Sequence, residues 1–304
     1  MKSYLKDKDW DTLLWRIDEG KCTPFLGAGA CYGVLPLGAE IAQKWAKEEG
    51  YPLSDCDDLA RVAQFLAVDR QDPMFPKEKI VRLFKDVASP DFSKSDEPHS
   101  VMADLPLPIY ITTNYDDFMM QALKSRNKDP KLEICRWNKY IKDQSSILKS
   151  KGGFEPTPAN PVVFHLHGYQ GVPESLVLTE DDYLDFLVNI SRDRLALIPN
   201  RIQRAMAGAS LLFIGYRLAD LSFRVLFRGL VGSLEESLRR INVAVQLPPT
   251  DSEPEYQQVQ DYLTKYFKNT DVLVYWGTAK KFVTDLRDRW EKFCRKKEDS
   301  KNET

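Results

Sequence analysis

The chain has 304 residues, 43% hydrophobic and 29% charged, with 15 Gly and 18 Pro, the composition of a soluble globular protein with a sizeable core. A formal net charge of −2 excludes the global positive field that nucleic-acid binding would call for. No apolar run approaches the roughly 20 residues of a membrane-spanning helix, and MKSYLKDKDWD has no apolar segment behind its charges, so neither a membrane span nor a signal peptide is expected.

The five cysteines, Cys22, Cys31, Cys56, Cys135 and Cys294, are scattered, with no Cys-x-x-Cys half-site for zinc. An odd, dispersed set is a poor disulfide framework, and a reducing cytoplasm is the expected location.

In chain order, Trp10, Leu13, Leu14 and Ile17 at helical spacing predict a helix over 9–19, ended by Gly20. A short apolar strand, Cys22 to Leu26, runs into Gly27-Ala28-Gly29, and a helix is expected over 37–49. Further helices fit 56–69, 77–87 and 98–104. The strand Ile109–Thr112 leads into Asn114-Tyr115-Asp116 and a helix to about Lys124. The strand 161–166 ends at His167-Gly168. Helices over 180–190 and 193–207 precede the strand 210–215, a helix over 219–231, the strand 242–247, a helix over 253–267, the strand 271–276 and a helix over 279–294.

Strand–turn–helix repeats with strands that are apolar throughout predict a Rossmann-like α/β fold, a mostly parallel sheet covered by helices on both faces. Residues 1–20 are read as an N-terminal helix, 21–294 as the main domain, and 295–304 as a charged, frayed tail. Within the main domain, 38–105 reads as a helical lobe. Residues 127–161, rich in Lys, Asn, Pro and Gly, read as an insertion or a loop with a small hairpin.

In a parallel sheet the ligand binds beyond the carboxyl ends of the strands. Here those ends carry Gly27-Ala28-Gly29, Thr113-Asn114-Tyr115-Asp116, His167-Gly168 and Gly215-Tyr216. Gly27 and Gly29 would let backbone amides approach a pyrophosphate, although Tyr32 stands where the third glycine of G-x-G-x-x-G belongs; a plain turn is the alternative. The Asn114 amide both donates and accepts, which suits a ribose hydroxyl or a water; the alternative is that Asn114 or Asp116 caps the next helix. His167, at a strand end beside a glycine, suits a general base, while His165 is expected to pack against a helix layer. Asp220 either meets the ligand or caps a helix on which Arg224 pairs. A metal is not expected: His99 is the only further histidine, and no carboxylate can be placed beside His165-x-His167.

FLGAGA at 25–30, PIYITTNYDDF at 108–118, VFHLHG at 163–168, LTEDDYLDFL at 178–187 and LLFIGYRLAD at 211–220 together resemble the SIR2-like domains of bacterial antiphage defence proteins, distant relatives of the sirtuin deacylases. The resemblance covers roughly residues 20–290. It implies that Gly27, Ala28 and Gly29 line the pyrophosphate of NAD, that Asn114 lies beside the reactive ribose and Asp116 near the nicotinamide, and that His167 is catalytic. Gly215 and Tyr216 would hold the adenosine half, with Tyr216 replacing a small hydroxyl residue. Cys31 stands where a serine is common. Thr113, Gly168 and Asp220, in the same motifs, complete the expected NAD-binding set. The sirtuin Cys₄ zinc module is missing, and the helical lobe is expected in its place.

The implied activity is hydrolysis of NAD to nicotinamide and ADP-ribose. A protein deacylase or ADP-ribosyltransferase, and a non-catalytic NAD or ADP-ribose sensor, are the alternatives. An unregulated NAD hydrolase would poison its own cell, so the resemblance also implies gating, by self-assembly into a homo-oligomer or by a separate ATPase or Argonaute-like partner.

Overall fold

The computed structural model describes residues 5–149, 153–217, 241–247, 256–268 and 272–302. Seven strands form one sheet: β1 (Cys22–Leu26), β2 (Ile109–Thr112), β3 (Lys131–Ile134), β4 (Val162–His165), β5 (Ser210–Ile214), β6 (Asn242–Gln246) and β7 (Val272–Trp276). Their spatial order is β3-β4-β2-β1-β5-β6-β7, and every neighbouring pair is parallel, as the continuous apolar strands predict. The winding reverses at β1, between β2 and β5, which opens a crevice beyond the carboxyl ends of these strands.

The helices are α1 (Asp7–Asp18), α2 (Gly38–Glu49), α3 (Leu59–Asp69), α4 (Phe75–Lys85), α5 (Pro98–Asp104), α6 (Phe118–Ser125), α7 (Glu180–Leu197), α8 (Asn200–Gly208), α9 (Tyr256–Lys268) and α10 (Ala279–Asn302). Because strand side chains alternate between faces, Phe25 and Leu26 enter different cores. Phe25, Ile111, Phe164 and Phe213 pack with Phe186 of α7, Ile202 and Met206 of α8 and Phe267 of α9. Leu26, Tyr110, Val163 and Ile214 pack with Trp10, Leu13 and Ile17 of α1, Met102 of α5, Met119 of α6 and Phe282 of α10.

A third core belongs to α2, α3 and α4, where Ile41, Trp45, Val62, Leu66 and Ile80 close over Leu176 and Leu178. Asp58 caps α3 by accepting from the amides of Ala60 (3.0 Å) and Arg61 (3.3 Å). The sequence reading extended this lobe to residue 105, but α5 packs on the sheet instead, with Val101, Met102 and Ala103 in the core shared with α1 and α10.

Two further expectations are corrected. Among the described residues of 127–161 there is no hairpin: β3 adds to the sheet edge in parallel register, Lys131 opposite Val162 and Ile134 opposite His165. Buried Arg136 organises the loop that follows, donating to Glu133 and to the carbonyls of Ile134 (2.9 Å) and Gln144 (2.7 Å), a long-range arrangement with no periodic signature. The charged segment after 294 continues α10 to Asn302. No Gly or Pro interrupts it, Arg295 pairs with Glu291 one turn back, and Lys297 ties the helix to Asp18 of α1. The helix expected over 219–231, with Asp220 and Arg224, lies outside the described residues.

Candidate active site

The order β4-β2-β1-β5 places the four strand-end motifs side by side. Gly27 follows β1, Asn114 follows β2, His167 follows β4 and Gly215 follows β5. Thr112 lies opposite His165, so Asn114 and His167, each two residues further on, leave the sheet on adjacent strands about 4.8 Å apart.

The glycines let two backbones touch. Gly27 donates its amide to the Ile214 carbonyl and Gly29 to the Gly215 carbonyl, both at 2.9 Å. A Cβ on Gly27 would fall 2.8 Å from the Gly215 oxygen, and one on Gly29 2.9 Å from the Gly215 Cα. Gly215 itself has φ +83°, and its Cβ would meet the Ala30 nitrogen at 2.3 Å, so only glycine fits all three positions. The amides of Gly27 and Gly29 are thereby committed to the β5 loop rather than to a ligand. The amide of exposed Ala28, at the start of a short 3₁₀ turn (Ala28–Cys31), makes no hydrogen bond to any described residue.

Tyr216 links the loops: its hydroxyl donates to the Leu26 carbonyl (2.9 Å) and accepts from the Thr113 hydroxyl (2.9 Å). Burial raises its pKa well above that of an ordinary phenol, so it serves as a neutral bridge across β2, β1 and β5.

Asn114 and Asp116 divide the two roles the sequence left open. Asp116 lies one residue before the N-cap Asp117 of α6, its Oδ1 accepting from the Phe118 amide at 3.0 Å. Asn114 does not cap. Its Nδ2 donates to the Gly27 carbonyl (3.1 Å) and to the Cys31 sulfur (3.2 Å), its amide donates to Thr112 Oγ1 (2.9 Å), and its carbonyl meets His165 Nδ1 at 3.1 Å. Half-buried Asn114 is therefore fixed with Oδ1, which bonds to no described residue, as its remaining acceptor.

His167 is half-buried and held edge-on by two aromatics of α7, Tyr183 (ring centroids 5.5 Å apart) and Phe186 (5.0 Å). Burial among these rings pushes its pKa down to about 3, so the imidazole is neutral around pH 7. Gly168, expected at the ligand, is buried instead with φ +93°, and a Cβ there would sit 2.2 Å from the Ser175 oxygen; it lets the chain turn back toward α7. His165, the last residue of β4, is buried, while His167 lies in the turn beyond it.

The sequence reading missed two groups. Tyr183 and Phe186 lie in a matched motif but carry no polar signal that announces contact with a histidine. The second group is formed around Cys31, whose sulfur lies 3.4 Å from Asp116 Oδ2 and 3.9 Å from His99 Nε2. His99 Nδ1 in turn meets Glu97 Oε1 at 2.7 Å. Burial, then the charge of Asp116, holds the Cys31 thiol well above its ordinary pKa. The donor atoms of Cys31, His99 and Asp116 all lie within 4.8 Å of one another. The sequence reading looked for carboxylates beside His165 and His167, whereas the fold gathers ligand-type groups around the third histidine.

Comparison with known proteins matches residues 108–267 to the SIR2-like domain model. The chain is 26% identical over 220 residues to the NAD(+) hydrolase ThsA of Bacillus cereus (strain MSX-D12), covering 71% of this chain and 41% of that protein. It is 24% identical over 217 residues to the NAD(+) hydrolase ThsA of Acinetobacter baumannii (strain 532279), covering 69% and 39%. Against the protein of the same name from Enterococcus faecium the figures are 23% over 208 residues, 67% and 38%. The chain thus spans about two fifths of the length of these curated relatives.

Proposed function

The chain belongs to the SIR2-like domain family, and from that premise we propose that it hydrolyses NAD at the nicotinamide–ribose bond, releasing nicotinamide and ADP-ribose. The observation that carries the reading is the pairing of Asn114 and His167 on adjacent strand ends, one presenting a fixed acceptor oxygen and the other a neutral imidazole. Relatives named NAD(+) hydrolase support it.

Nicotinamide leaves as a neutral base from a cationic ring, so the reaction needs little acid catalysis. It needs bulk water excluded and an oxocarbenium-like ribose supported. Asn114 Oδ1 accepts from the attacking water or a ribose hydroxyl and so orients it. His167 takes the proton as the water oxygen bonds to C1′, while the C1′–N electrons leave with nicotinamide. The exposed Ala28 amide donates to the pyrophosphate, with Thr113 and Tyr216 beneath it. Residues 21–294 form the NAD-binding unit.

In the cell, the chain acts in the cytoplasm as an antiphage effector that depletes NAD. Self-assembly, or a separate sensor such as an ATPase or an Argonaute-like protein, is the switch that gates it. The deciding measurement is nicotinamide release from NAD by the purified protein, with and without the product of its genomic neighbour. His167→Ala and Asn114→Ala are each expected to lose about 10²–10⁴-fold in turnover while keeping the fold. Unchanged release in either variant overturns its role, and NAD bound without release under both conditions overturns the hydrolase reading in favour of a sensor.

A further inference from the structure

We propose that Cys31, His99 and Asp116 form a binding site for a thiophilic divalent transition metal of the Zn²⁺ class, with Glu97 orienting the imidazole. The NAD chemistry above does not require a metal, so this site adds to that reading and does not depend on it.

Three segments distant in sequence converge here: the turn after β1, helix α5 and the β2–α6 loop. Cys31, His99 and Asp116 are only 3%, 1% and 5% exposed. Sulfur, imidazole nitrogen and carboxylate oxygen are the three donor types of protein zinc sites. With Zn–S near 2.3 Å and Zn–N and Zn–O near 2.0–2.1 Å, a tetrahedral site has S···N and S···O edges of about 3.5 Å. The sulfur stands 3.9 Å from His99 Nε2 and 3.4 Å from Asp116 Oδ2, and all three donor atoms lie within 4.8 Å of one another, so an ion would draw them together.

The surroundings have the form of a second coordination shell. Glu97 Oε1 engages His99 Nδ1 at 2.7 Å, while Glu97 Oε2 accepts the Ser100 amide at 2.5 Å. This carboxylate–histidine arrangement fixes the ring and turns Nε2 toward the sulfur, as metal-bound histidines require. A thiol has one proton and cannot donate to both His99 and Asp116, so hydrogen bonding alone leaves one of these approaches without a donor from Cys31. A divalent ion bound by a thiolate and a carboxylate is neutralised in place, which suits a buried site. Three protein ligands leave a fourth position for water. Asn114, half-buried, lies 3.2 Å from the sulfur.

The test uses the full chain, stripped with a chelator and then titrated separately with Zn²⁺ and Co²⁺. We expect one equivalent of zinc to survive dialysis, and cobalt to give a near-ultraviolet thiolate-to-metal band with tetrahedral visible absorption. Cys31→Ser should abolish the thiolate band, Glu97→Gln should weaken metal affinity by about 10–100-fold, and Cys56→Ser, at an exposed thiol, should change neither. Circular dichroism confirms that each variant is folded. Failure of the unmodified protein to retain zinc or develop the band overturns the proposal whatever the variants do, as does a band that survives Cys31→Ser. None of these readouts needs NAD turnover, so failure of the metal site and failure of the hydrolase reading are distinguishable.

Discussion

Replacing Lys77 by Met tests whether the helical lobe holds the surroundings of His167 in place. Lys77, on α4, reaches Asp182, near the start of α7, at 2.8 Å, with side-chain exposures of 8% and 14%. Asp182 also accepts from the amides of Leu178 (3.1 Å) and Thr179 (3.0 Å), and one residue later α7 presents Tyr183, then Phe186, to His167. Breaking a buried pair by removing one partner costs roughly 3–5 kcal/mol, because the other charge is left uncompensated. The two amides and the residual exposure of Asp182 reduce this to about 2–3 kcal/mol. With an unfolding entropy of about 2.1 cal/mol/K per residue, that lowers Tm by about 3–5 °C in a chain of this length. The assay is a thermal-melt double-mutant cycle with Asp182→Asn, which keeps an acceptor for the two amides but sheds the charge. Each single change should destabilise by a similar amount and the double change by no more than either. If the single effects add within about 0.5 kcal/mol, the two groups are not coupled and the latch is refuted. Nicotinamide release by Lys77→Met should also fall below that of the unchanged chain at temperatures where both are folded; equal release would leave the pair a stabilising contact with no hold on the site.

Two further outcomes follow from the geometry. Gly168→Ala forces a side chain to φ +93° with its Cβ 2.2 Å from the Ser175 oxygen, so strain of about 1–2 kcal/mol adds to an overpacking cost of about 1–3 kcal/mol; urea unfolding should show a loss of at least 2 kcal/mol, and a smaller one would mean the turn is not rigid. His167 titrates near 3 when folded and near 6.5 when unfolded, so below 6.5 the unfolded chain binds a proton that the folded chain refuses. Its contribution to stability is complete above pH 6.5 and is lost as pH falls toward 3; replacing it by Gln should flatten the acid side of the stability profile, and an unchanged profile would contradict burial of the neutral ring.

The sheet was legible because strands such as β2 (IYIT) and β5 (SLLFI) are largely apolar along their length, as two-sided burial requires. The candidate site was legible where chemistry sits at strand ends, as with Asn114 and His167. It was less legible where function depends on what meets what. Whether Asn114 or Asp116 accepts from the first amide of α6 is decided by the direction the chain takes after Thr112, not by residue type. His99 lies in α5, whose place on the sheet face, rather than in the lobe, brings it to Cys31. The edge strand β3 escaped because four residues among Lys, Asn and Pro carry too little periodicity, and its pairing partner lies about thirty residues away.

The glycine loop carries the most consequential difference between motif and geometry. As a motif, Gly27-Ala28-Gly29 reads as a cradle of free amides. In the fold, two of its amides go to β5, and the absent side chains let Gly215 approach. That approach also determines where the Gly27 carbonyl stands, and this carbonyl is one of the two groups that take the protons of Asn114 Nδ2. Close backbone packing between β1 and β5 therefore fixes the amide that follows β2 and leaves its Oδ1 as the remaining acceptor. A substitution at Gly215 would be felt at Asn114 even though the two do not bond, because the chain of contacts between them consists of backbone that has no room to yield.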